Sequence, residues 1–292
     1  MQTDVSDWPV CAQMHDRLGE SILWHPEEHA LYWIDYYGPT VHRQKHGSGQ
    51  VESWKIDRGE MIGSLVFADR GRLVLAVDHG LYLFDAGTGV TSFFADPKCG
   101  RKDLAYNDSK VDRAGHYWIG TYSLAETEPN GIFYRMAPNG TARVADQGFV
   151  ICNGPAFSPD NAKLYFSDTV GRRILSYDLD DQGAISGRQT FFSFSADDGM
   201  PDGLTVDSAG NVWCALYGAA KVVCIGAKGP LKLSFPLPVP LVTSLCFGGP
   251  ELRTLYVTTG SSTVTKKTAG LGGAVFMRPV DTPGLREPIV RV

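Results

Sequence analysis

The sequence predicts an all-β chain of one domain, a six-bladed β-propeller over residues 1–292, and three observations carry that prediction. A strand, a turn rich in Asp, Gly and Pro, and a second strand of aromatic or branched residues recur six times. The strand anchors Trp24, Phe67, Val111, Phe157, Val206 and Phe247 stand 43, 44, 46, 49 and 41 residues apart. Six units of about 40–50 residues, each with room for four short strands, is the period of propeller blades. No stretch of helical period and useful length competes with the strands.

The fifth unit shows the pattern most fully. In GMPDGLTVDSAGNVWCAL, Met200-Pro-Asp-Gly203 reads as a turn that places Asp202 just before a strand through Leu204 and Val206. The turn Asp207-Ser-Ala-Gly210 then returns the chain into Val212–Leu216. SILWHPEEHALYWID, SLVFADRGRLVLAV, SKVDRAGHYWIGTY, GPAFSPDNAKLYFSD and SLCFGGPELRTLYVTT repeat it, and second hairpins follow at Gly80–Asp85 and Arg173–Asp178. Residues 1–17 are expected to supply the outer strand that closes the ring onto the last blade.

Composition narrows the function. A chain of 292 residues with 43% hydrophobic content can bury one large core. Net charge is −5, with no block of like charge, so nothing favours nucleic acid or an anionic membrane. No apolar run reaches membrane-spanning length and no basic-then-apolar leader opens the sequence; a cytoplasmic protein is expected. Cys11, Cys99, Cys152, Cys214, Cys224 and Cys246 include no C-x-x-C pair, and they read as reduced thiols within strands. His25, His29, His42 and His46 read as surface histidines.

The repeat fixes a position for chemistry. Asp202 lies four residues before Val206, and the same offset selects Glu20, Gly63, Asn107, Asn153 and Thr243 in the other blades. At the entry to an innermost strand, this position faces one end of the channel. Four of the six positions therefore carry a carboxylate or carboxamide. Taken singly, Asn153-Gly154 and Asp202-Gly203 are ordinary turn dipeptides and Glu20 a solvated residue. Turn chemistry does not require a polar side chain at one offset in four blades, however, and converging carboxylates repel one another unless a cation lies between them. Oxygen donors without His or Cys suit a hard divalent ion such as Ca²⁺, Mg²⁺ or Mn²⁺.

LGES-x2-W, YNDSKVDRAGHYWIGTY, ICNGPAFSPD and MPDGLTVDSAGNVW closely resemble the motifs of the senescence marker protein, gluconolactonase and luciferin-regenerating enzyme family, in the same order and over nearly the whole chain. The resemblance implies a six-bladed propeller holding one divalent cation (Ca²⁺, Zn²⁺, Mg²⁺, Mn²⁺ or Fe²⁺) in the channel, and hydrolysis of a small-molecule sugar lactone. It implies Glu20, Asn153 and Asp202 as metal ligands, Asn107 beside the metal touching substrate or bound water, and Asp202 also as general base. No G-x-S-x-G signature offers a serine nucleophile instead.

The chain departs from that family where substrate is gripped. The resemblance places an arginine two residues before Asn107 and an acid near residue 125; here stand Ala105 and Ala125. Tyr106, Tyr122 and Glu126 are the expected substrate contacts in their place, with Arg101 and Lys102 close enough in sequence to compensate. Tyr37, Phe149 and Tyr217 make the same end aromatic. Hydrolysis of organophosphates or other esters on the same metal site, and a non-catalytic calcium-binding regulatory propeller, remain alternatives. An interaction scaffold would not need four inward oxygen donors. Metal identity and oligomeric state stay open.

Overall fold

The computed structural model describes residues 8–261 and 270–292. They form six antiparallel four-stranded sheets. The innermost strands are Gly19–His25, Ile62–Phe67, Leu104–Val111, Cys152–Phe157, Met200–Val206 and Val242–Gly248. In blades 1–5 the strands follow chain order from the axis outward. The sixth blade is shared by the two ends of the chain: its outermost strand is Val10–Ala12, paired with Val275–Pro279. That is the ring closure expected of residues 1–17, of which 1–7 lie outside the described residues. Among the described residues helix is confined to two single 3₁₀ turns, Asp69–Gly71 and Ala196–Asp198, so no helix is long and apolar enough to cross a membrane.

Both faces of an inner strand are covered, because each blade packs on two neighbours and an apolar cluster fills each of the six interfaces. Trp213, for example, stacks on Phe235 and meets Phe247 of the next blade edge-on. Continuous burial explains inner strands such as IGSLVF, which read as unbroken runs and not as alternation.

The turns after the inner strands explain the Asp-x-x-Gly-x-x-Trp repeats. Asp207 is fully buried; one of its oxygens accepts from the amides of Ala209 and Asn211, the other from Asn211 Nδ2 and Trp213 Nε1 at 2.8–2.9 Å. Asp112 repeats this with Ala114, His116 and Trp118. Gly210 has φ 80°, the left-handed backbone this turn needs. The carboxylate thus ties a turn to a tryptophan in an interface core.

The C-terminal residues 283–290 cross the end of the ring where the inner strands finish. Ser208 N donates to Pro283 O, Gly284 N to Leu252 O, Arg113 to Arg286 O, and Val290 N to Phe67 O, which links blades 5, 6, 3 and 2. Under this strap Lys110 Nζ lies 3.5 Å from Glu287 Oε1, both side chains largely buried.

One sequence expectation changes here. His42 is buried, 3.3 Å from Asp16 and 2.8 Å from Ser53 Oγ, because the outer-hairpin position it occupies is covered at the ring closure. The six cysteines are free thiols; Cys214 and Cys224 sit one register position apart, with Cys214 opposite Val223. Removal of the turn carboxylate by Asp207→Ala leaves four donors unpaired, three of them buried, and is expected to cost about 3–5 kcal/mol in urea unfolding; a loss below about 1 kcal/mol would mean that water replaces the carboxylate.

Candidate functional site

Each inner strand slips register at the same place: between Glu20 and Leu23, Ile62 and Ser64, Tyr106 and Ser109, Asn153 and Ala156, Pro201 and Leu204, and Val242 and Leu245. A bulge of this kind breaks the two-residue alternation and re-aims side chains. The offset positions therefore lie inside the inner strands, at or beside the bulge, and Asp202 belongs to strand Met200–Val206 where the sequence suggested the turn before it.

The structure brings Glu20, Asn107, Asn153 and Asp202 to one cavity of about 150 Å³ at the start of the inner strands. The other two offset positions contribute nothing for visible reasons. At Gly63 a Cβ would stand 2.3 Å from the Tyr106 carbonyl. Thr243 turns its hydroxyl to the Gly19 carbonyl at 2.5 Å, a link between blades 6 and 1.

Hydrogen bonds fix the carboxamides. Thr169 gives its only proton to the Pro201 carbonyl (2.8 Å), so it accepts from Asn153 Nδ2 at 3.0 Å, and Asn153 Oδ1 is left facing Asn107. Asn107 Nδ2 donates to that oxygen at 2.7 Å and to the Cys152 carbonyl at 2.8 Å. Its own Oδ1 is thereby turned the other way.

The carboxylates resist ionisation. Burial, then Asp202, then Asp108 push the Glu20 carboxyl well above its ordinary range, against one bond from the Ser21 amide. Burial and Asp108 do the same to Asp202. Asp108, absent from the sequence reading, is itself raised to about 7 by burial, with Lys110 opposing. Its signal was the bulge: Asn107 and Asp108 together oppose Gly120, so the residue beside an offset position also turns toward the ring's interior.

Among the described residues no three His, Cys, Asp or Glu side chains converge closely enough to hold a metal alone. The half-buried Glu20 and the buried Asp202, both of raised proton affinity and completed by oriented amide oxygens, nevertheless form a donor set that suits a hard divalent cation.

Much of the remaining lining of the cavity is aromatic. Tyr122, Tyr37 and Tyr217 line the cavity, as do the exposed Glu126 and the buried Tyr36, which the sequence did not single out. Tyr106 does not reach the cavity. Its ring is buried between blades 2 and 3, and its hydroxyl donates to Asp96 (2.6 Å) and accepts from the Lys98 amide (3.1 Å). The pleat sends it away from the face that Ala105 and Asn107 share. Phe149 is likewise interior, packed on Phe166. Arg101 is paired with Asp103, and Lys102 lines a neighbouring cavity, so neither replaces the expected arginine.

Comparison with known proteins agrees with this architecture. The family described as "SMP-30/Gluconolactonase/LRE-like region" matches residues 18–261. The chain is 32% identical to the 6-deoxy-6-sulfogluconolactonase of Pseudomonas putida over 276 residues, 93% of this chain and 94% of that one. It is 34% identical to pentonolactonase XacC of Haloferax volcanii over 291 residues, again 93% and 94%. The crystal structure of a calcium-binding protein, regucalcin, from Agrobacterium tumefaciens superposes with TM-score 0.91 at 25% identity, covering 97% of both chains.

The carboxyl shifts set a pH dependence for the cation-free protein. Folded-state values lie above unfolded ones, so between them the folded chain holds more protons and stability falls as pH rises. For Asp108 that window runs from about 4 to about 7. EDTA-treated protein is expected to melt lower at pH 8 than at pH 5, with Ca²⁺ raising the midpoint mainly at pH 8; a flat profile would remove the repulsion.

Proposed function

The chain belongs to the SMP-30/gluconolactonase/LRE-like family, and from that premise we propose that it is a hydrolase that opens a sugar lactone with a divalent cation held by Glu20, Asn153 and Asp202. One observation supports this above the rest: four oxygen-bearing side chains from four different blades share one cavity. The relatives named as lactonases support the choice of bond.

When bound, the cation would polarise the lactone carbonyl and acidify a water. The remaining work falls to this chain. Asp202 takes a proton from the attacking water as a new C–O bond forms at the carbonyl carbon, and returns it to the ring oxygen as the ring C–O bond breaks, giving a hydroxy acid. Glu20 stays ionised beside it only when positive charge balances the pair. Asn107, locked by Cys152 O and Asn153, offers a fixed amide oxygen to a substrate hydroxyl or water. The tyrosine wall excludes bulk water from the carboxylates. Calcium binding without turnover is the second reading, favoured by the likeness to a protein whose title calls it calcium-binding.

A pH-indicator assay over aldonolactones and aromatic lactones, with stripped protein reloaded one cation at a time, separates the two. Cation-dependent acid release is expected; cation binding with no release from any lactone would leave only the second reading. Asp202→Asn is expected to keep measurable Ca²⁺ affinity by calorimetry, because an amide oxygen still ligates, and to lose about a hundredfold or more in kcat. Wild-type-like turnover would move the base to another group.

A further inference from the structure

Ala105 sits where the resemblance expects an arginine, and the structure shows what occupies the space that its short side chain leaves. Ala105 pairs with Tyr122 across the hairpin, and its methyl packs under Tyr36 and Tyr122 in a small buried cluster with Met61. The two phenols come from blades 1 and 3 and meet over it, hydroxyl to hydroxyl at 3.0 Å. Both rings line the cavity that holds the carboxylates.

The protons in this pair are unevenly used. Tyr36 donates its single proton to Tyr122 Oη, with the Tyr106 carbonyl a longer alternative at 3.4 Å. Among the described residues Tyr122 then has only the Met61 thioether at 3.9 Å as acceptor, and sulfur accepts weakly. A buried hydroxyl without a strong acceptor gains by meeting an oxygen. The bond it receives from Tyr36 polarises it further as a donor.

We propose that Tyr36 and Tyr122 form a paired-phenol subsite, opened by Ala105, in which Tyr122 donates to a hydroxyl oxygen of the substrate while Tyr36 holds it in place. The proposal rests on the lactonase reading and names its substrate class: a lactone hydroxylated on the ring face or side arm turned from the carboxylates. Tyr122 touches substrate; Tyr36 is the positioning residue. The subsite selects by hydrogen bonding where an arginine would select by charge.

The test compares wild type, Tyr122→Phe and Tyr36→Phe on glucono-1,5-lactone and on δ-valerolactone, which carries no hydroxyl. Phenylalanine keeps the ring packing, and thermal midpoints check that it does. Tyr122→Phe is expected to lower kcat/KM for gluconolactone about tenfold, mostly through KM, and to leave δ-valerolactone within about twofold; Tyr36→Phe should show the same selectivity at about threefold. A general disturbance of the fold would lower both substrates together, and equal losses, or none, overturn the subsite while the lactonase reading stands. Wild type acting on neither of these nor on any other lactone of the panel overturns the lactonase reading. Calorimetric binding of gluconolactone then decides the subsite by itself: weaker binding in Tyr122→Phe upholds it, and unchanged binding overturns it. Should a variant not fold, wild type still reports, since equal KM values for the two lactones would contradict hydroxyl recognition.

Discussion

In a regular strand alternate side chains face opposite sides, and in this ring both sides of every inner strand are packed against neighbouring blades. A polar side chain there would be buried without water. The register slip at one level in all six blades breaks that alternation and gives a few positions an exit toward the axis. The convergence of Glu20, Asn107, Asn153 and Asp202 depends on it. The slip also loosens the ladder, and small hydroxyls mend it between blades: Ser21 to Leu65 O, Ser109 to Ser64, Ser167 to Asp202 O. Inner strands rich in Ser, Thr and Asn are therefore structural at this level as well as functional.

The acids at the top of the ring work against the fold that presents them. Asp202 and Asp108 raise the cost of ionising Glu20, and Asp108 that of Asp202. Without a counter-charge the ring would sooner hold protons there, and the six apolar interfaces sustain that strain. Such a site stores affinity for positive charge within a scaffold stabilised elsewhere.

Repeat spacing was legible in the sequence because each blade restates it, and so were the four residues at one offset, since an offset is a one-dimensional quantity. What stayed hidden depends on direction. Tyr106 looks like a cavity residue from its place beside Asn107, yet one step along a strand reverses its side, and it bonds Asp96 instead. Asp108 escaped for the converse reason, because the bulge lets consecutive residues turn the same way. Tyr36 comes from the end of the second strand of blade 1, far from every motif, and its place opposite Tyr122 is purely tertiary. His42 looked solvated until the ring closure covered it.

The strap of residues 283–290 has a bearing on how the molecule is made. It follows all six inner strands in chain order, yet it ties blades 2, 3, 5 and 6 together beneath the channel, and the sixth sheet takes its outer strand from residues 10–12. Contacts of such sequence separation form late and slowly. On the ribosome, blades 1–5 can assemble as an open arc in order of emergence, but neither the ring nor its floor can be finished until residues 275–290 have emerged. Nascent chains would then wait with the edge strand of blade 6 and the face of blade 1 uncovered, the surfaces most in need of a chaperone during that interval.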